Sequence, residues 1–194
     1  MQFLRAISGP ALRLWGFSTL LAWGVFLVTR CVLLGHAMVV GQQSLDTLLP
    51  ALAAGLARDV PVAAVVALPW AIFELVIRQK WRERLRWPLF LVYLFTLLFV
   101  AVAETVFWDE FAVRFNFIAL DYLVFTNEVI GNIRESYPVG RIIAALLALS
   151  LLLGWGLRRS LRQQVVTQAP RAPQFSWVAG LAGLAGMLAW GQTP

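Results

Sequence analysis

The sequence predicts an all-α, polytopic membrane protein, with five transmembrane helices and one or more interfacial amphipathic helices on the outer side. Three observations carry this. Of the 194 residues, 60% are hydrophobic and 13% charged, with mean hydropathy +0.76, far more apolar than a water-soluble domain of this length. The apolar residues form long runs with few charges and no barrel-type alternation, so helices must satisfy the backbone in lipid. Finally, the basic residues collect in the stretches between alternate runs, as membrane topology requires.

The first span is expected at about 14–34, after Arg5 and Arg13. No clear small-x-small cleavage site follows its apolar run, so it reads as an uncleaved span rather than a signal peptide. It carries Arg30 and Cys31; with a single cysteine, an internal disulfide or cysteine metal site is excluded. The apolar stretch LDTLLPALAAGLA (45–57) reads as a separate outer helix ahead of the second span at about 60–77. The remaining spans are expected at about 88–108, 139–157 and 175–190, with an outer interfacial segment over 109–138. At about 1.5 Å per residue, each crosses or nearly crosses a hydrocarbon core of about 30 Å.

Orientation follows from charge. The N-terminal stretch, the connection IRQKWRERLRW and the stretch LRRSLRQQVVTQAPRAP together hold 11 of the 16 basic residues. With five spans all three lie on one side, which places the N-terminus in the cytoplasm and the end of the fifth span outside. Trp15, Trp81, Trp87, Trp155 and Trp177 fall at the expected inner border, and Trp108 and Trp190 at the outer one, the aromatic-belt pattern. Trp23 and Trp70 fall within spans and are read as packing residues. In the fifth span, Ala179 with Gly183 and Ala182 with Gly186 are small residues four apart. They suit close approach of a backbone, either within this chain or in a dimer.

The segment between spans three and four has its own pattern. Arg114, Asp121, Glu128 and Glu135 recur every seven residues, joined by Asn132, and Ile118, Tyr122, Phe125, Val129 and Ile133 form an apolar face. Charges at this density are too costly in lipid without partners, whereas an amphipathic helix lying on the outer surface accommodates them. Two readings fit the polar face. It is the solvated side of an interfacial helix, or a surface for a lipid headgroup or docked domain.

The run FNFIALDYLVFTNEVIGNIRESYP, with Asn116-Phe117, Asp121-Tyr122 and Asn127-Glu128-Val129-Ile130, resembles the outer-surface region of the lipoteichoic acid synthase family of phosphoglycerol transferases. The stretch GLARDVPVAAVVALP is similar to that family's Gly-x-x-x-Asp start of the second span, here Gly55 and Asp59. The resemblance implies a five-helix membrane anchor followed by an extracytoplasmic domain of the alkaline phosphatase and sulfatase type. That domain uses a threonine nucleophile and a divalent metal, usually manganese, to move phosphoglycerol from phosphatidylglycerol onto a polymer or glycan. No such catalytic domain lies within these residues, so the chain is expected to contribute no catalytic residue, metal or cofactor of its own. Its expected role is to anchor the enzyme in the inner membrane and guide phosphatidylglycerol. Arg114, Asn116, Asp121, Tyr122, Asn127, Glu128 and Asn132 form the expected headgroup or docking face.

A second candidate site comprises Arg30, Arg58, Asp59 and Glu104, charges close to lipid that need partners or water. An Arg30–Glu104 or Arg30–Asp59 pair is expected, as a structural ion pair or as part of an outer-leaflet pocket for an anionic headgroup. Glu74 is expected to pair with Arg78 one turn on. His36, the only histidine, has no second histidine or cysteine partner for a site, and Asp109 and Glu110 beside Glu104 read as solvated acids rather than a cation site. Nucleic acid is not an expected partner, because the basic residues lack interleaved stacking groups. The alternative function is a stand-alone membrane protein, either an accessory subunit or a small transporter, although no internal repeat supports the transporter.

Overall fold

The computed structural model describes residues 9–39, 45–111, 131, 135–163 and 171–191. It is all-helical, with no strand among the described residues. Five long helices follow in order: α1 (Pro10–Val39), α2 (Leu45–Val76), α3 (Gln79–Phe111), α4 (Val139–Gln163) and α5 (Arg171–Trp190). Four stretches are long and apolar enough to cross a membrane: Pro10–Val39, Leu49–Val76, Gln79–Asp109 and Val139–Gln163. The apolar part of α5, Ser176–Trp190, is shorter.

Three elements differ from the sequence reading. Residues 45–57 are not a separate helix but the first turns of α2, which continues through Arg58 and Asp59 and past Pro61. The basic connection IRQKWRERLRW is also mostly helical. Only Ile77 and Arg78 separate α2 from α3, and the Arg78 carbonyl accepts from the amides of Trp81 and Arg82 at 2.9 and 3.1 Å. Pro88 therefore lies inside α3 rather than at its start. Likewise Arg158, Arg159 and Arg162 belong to α4 rather than to a loop.

Successive helices alternate in direction. The start of α1 meets the end of α2, where Trp15 donates its indole N–H to the Ala64 carbonyl at 2.7 Å; eight residues on, Trp23 donates to Leu56 at 3.1 Å. Pro61 and Pro69 lack the amides that would bond to Ala57 and Val65, and the two indoles bond the carbonyls one residue earlier, at Leu56 and Ala64.

At this same end Leu14, Trp70, Phe90, Leu94 and Leu161 form a core drawn from α1, α2, α3 and α4. Trp70 stands edge-on to Phe73, Phe90 and Tyr93 at 5.7–5.9 Å, and Tyr93 Oη donates to the Ser18 carbonyl at 2.9 Å. α4 lies along α3, with Gly154 against Leu91 and Trp87. α5 lies along α2, where Val178 and Ala182 pack with Trp15, Ala67 and Ala71. Ala179 and Gly183 are exposed, so only one of the two small-residue pairs faces the bundle. Leu20, Val28, Leu152 and Met187 are also exposed, an apolar exterior suited to lipid and hazardous in water.

The start of α1 is closed by α5. Gly9 precedes Pro10 and has no capping side chain, while the Gln174 amide carbonyl of α5 accepts from the Ala11 amide at 3.2 Å. Gln174 is almost fully buried and lies against Gly9, where a Cβ would collide with it. The side chain of a distant helix thus replaces a local N-cap. Gln174→Leu should cost about 1 kcal/mol, read as a shifted midpoint in detergent unfolding.

Candidate functional site

The ionic groups divide between the two ends of the bundle. At one end lie the start of α1, the α2–α3 turn, the end of α4 and the start of α5. This basic end includes Arg13, Arg78, Lys80, Arg82, Arg84, Arg86, Arg158, Arg159 and Arg162, which the alternation of helix direction brings together. The opposite end holds Arg30, Asp59, Glu104, His36 and Asp109.

At the opposite end, Arg30 of α1 reaches Asp59 of α2. Nε donates to Oδ2 at 3.0 Å, and Nη2 to Oδ1 and Oδ2 at 2.8 and 2.9 Å. The two side chains are only 15% and 12% exposed. Such a forked, charge-assisted pair fixes the guanidinium plane as well as its position. Gly55 lies one turn before Asp59, so both are on the same face of α2, and its missing side chain makes room for the guanidinium: a Cβ there would collide with Nη1, Cζ and Nε of Arg30. This gives a physical reason for the Gly-x-x-x-Asp spacing. Glycine admits the cation and aspartate orients it.

Of the two pairings the sequence left open for Arg30, the structure makes the one with Asp59. Glu104 on α3 is buried at 8% exposure, whereas Arg58 points to the exterior. His36 and Asp109 join the ends of α1 and α3 at 3.6 Å, both about half exposed. Among the described residues, no group of three or more His, Cys, Asp or Glu side chains is placed to hold a metal. The expected face of Arg114, Asn116, Asp121, Tyr122, Asn127, Glu128 and Asn132 lies outside the described residues, as does most of the 109–138 segment; Glu135 is helical and exposed.

At the basic end, Glu74 does not pair with Arg78, which sits in the turn and is exposed. Its carboxylate, with a side-chain exposure of 0%, instead receives two arginines of α3. Arg82 Nη1 donates to Oε2 at 2.6 Å and to the Glu74 carbonyl at 3.1 Å, and Arg86 donates to Oε1 through Nε and Nη2 at 2.9 and 2.7 Å. The two-residue turn explains the outcome. It reverses the chain so tightly that the first turns of α3 pass Glu74, while Arg78 is carried outward. The sequence held one signal of this: Arg82 and Arg86 are four apart and so share a helical face. That this face meets Glu74 depends on the turn.

No family model, no curated protein and no solved structure matches the chain.

Proposed function

We propose that the chain is the membrane domain of a phosphoglycerol transferase-like enzyme acting on phosphatidylglycerol at the outer face of the cytoplasmic, or inner, membrane. All five helices cross, with the basic end in the cytoplasm, which the positive-inside rule supports. Residues 109–138 lie on the outer surface, where Arg114, Asp121, Asn127 and Glu128 form the face for a headgroup or a docked catalytic domain. Transfer leaves diacylglycerol and moves phosphoglycerol to an acceptor hydroxyl. That step belongs to an extracytoplasmic domain of the sulfatase type with a divalent metal, manganese by resemblance.

The observation that carries this reading is the Arg30 arrangement. Asp59 engages Nε and Nη2, while Nη1 takes no part in those bonds and lies over Gly55. A guanidinium held this way at the end of the bundle away from the basic segments suits a phosphodiester oxygen arriving from the outer leaflet. The protein's own contribution is to fix a cation where a lipid headgroup passes, without a cost of ordering it at the moment of binding.

The test is release of diacylglycerol from labelled phosphatidylglycerol by membranes carrying or lacking the native gene product. Gene-dependent release is expected, with Arg30→Gln lowering it most at limiting phosphatidylglycerol. An antibody to residues 158–174 should detect a band tens of kilodaltons above 21.6 kDa. A band at 21.6 kDa with no gene-dependent release would reject the reading in favour of a stand-alone accessory protein or small transporter.

A further inference from the structure

The basic end contains cations of two kinds. Arg82 and Arg86 are consumed by Glu74 and withdrawn into the packing. The other acid there, Glu83, accepts from Gln79 at 3.2 Å. Arg158, Arg159 and Arg162 are exposed and form none of the ion pairs among the described residues. All three lie in the last two turns of α4, a helix without a single acidic residue.

Their setting is ordered rather than diffuse. Ser150, Gly154 and Leu161 are buried on one side of α4, and Gly154 brings the helix directly against Leu91 of α3. That contact fixes the rotation of α4 and leaves the neighbouring flank open. Along this flank, towards the basic end, come Leu152 at 66% exposure, Trp155 at 74%, and then the three arginines. From Leu152 to Arg159 the rise is about 10 Å. The Arg158 guanidinium lies over the Trp87 ring of α3, 5.2 Å from its centroid, which holds it at the α3–α4 seam by a cation–π contact.

We propose that this flank binds an anionic phospholipid from the leaflet at the basic end, with its phosphodiester on Arg158, Arg159 and Arg162. The order of side chains matches that of the lipid. Leu152 runs beside an acyl chain, Trp155 sits at the glycerol ester level where its amphipathic ring is favoured, and the arginines meet the phosphate. Charge complementarity selects the occupant, since a zwitterionic lipid or an exposed basic segment of another protein gains little from three uncompensated cations. The site is on the opposite end from Arg30 and does not depend on the phosphoglycerol transferase reading.

The test is native mass spectrometry of the full chain released from micelles containing equal dioleoyl phosphatidylglycerol and dioleoyl phosphatidylcholine. The wild type should retain the anionic lipid at least about tenfold over the zwitterionic one. In an Arg30→Gln background, which removes the phosphate site proposed at the other end, replacing all three residues, Arg158→Gln, Arg159→Gln and Arg162→Gln, should abolish that preference, whereas the corresponding lysine replacements retain most of it. Equal retention of both lipids by the wild type, or an unchanged preference in the glutamine variant, would overturn the proposal. A photo-crosslinking benzoylphenylalanine in place of Trp155 gives a second readout in native membranes that does not depend on the glutamine variant folding. Attachment to anionic phospholipid supports the site; attachment only to a second copy, another protein or zwitterionic lipid rejects it.

Discussion

Glu74→Gln should destabilise the bundle by about 3–5 kcal/mol, the range for breaking a buried ion pair by removing one partner. The carboxylate is inaccessible and serves both Arg82 and Arg86, so the neutral amide leaves two nearly buried cations side by side on the first turns of α3. Both side chains are mostly withdrawn from solvent, at 10% and 15% exposure, so water offsets little of the lost pairing. Unfolding midpoints in mixed micelles would measure the loss. A triple replacement by apolar residues, Glu74→Leu with Arg82→Met and Arg86→Met, should recover most of it, because burying no charge also removes the desolvation cost. If Glu74→Gln unfolds at the wild-type midpoint, the pairings do not hold the turn. The effect exceeds that of an exposed pair such as His36–Asp109, which is half solvated and expected to contribute little.

Asp59→Asn at the other end should cost a further large amount, about 3 kcal/mol, by leaving Arg30 buried without its counter-charge. It differs from Glu74→Gln in its second consequence. On the proposed function, with the guanidinium no longer forked onto a carboxylate, retention of phosphatidylglycerol at the Arg30 end and gene-dependent release of diacylglycerol should both fall. Gly55→Ala provides the steric counterpart, because the added Cβ collides with Arg30 and displaces it from Asp59. Both variants should therefore share one phenotype through different physics. A Gly55→Ala protein with unchanged stability and unchanged lipid retention would show that the close approach of Arg30 to α2 has no role.

In an apolar solvent such as lipid, polar contacts between helices carry specificity that the apolar core does not. Moving Phe90 or Leu14 from lipid into the bundle gains packing but little hydrophobic free energy. Specificity of helix association rests on groups that lipid cannot satisfy: Arg30 with Asp59, the Glu74 cluster, the indoles on the Ala64 and Leu56 carbonyls, and Gln174 on Ala11. Most of these join residues far apart in sequence, and their geometry depends on how each helix is rotated.

The sequence by itself determined the helical class and the four long apolar helices, since hydropathy summed along a run needs no knowledge of neighbours. It also determined that the basic stretches at 78–86 and 158–162 come together, because successive helices reverse direction. It narrowed Arg30 to Asp59 or Glu104, while Gly55 with Asp59 stood out only through a family resemblance that did not show why a glycine stood there. Tertiary structure alone decided that Arg30 takes Asp59, that Glu74 passes over its neighbour Arg78 for Arg82 and Arg86, and that Gln174 closes the start of α1. It also continued α2 back to Leu45 and α3 back to Gln79. Composition sets whether a segment is helical and apolar; which polar group meets which is set by axial rotation and register, and those follow from the packing of many side chains at once.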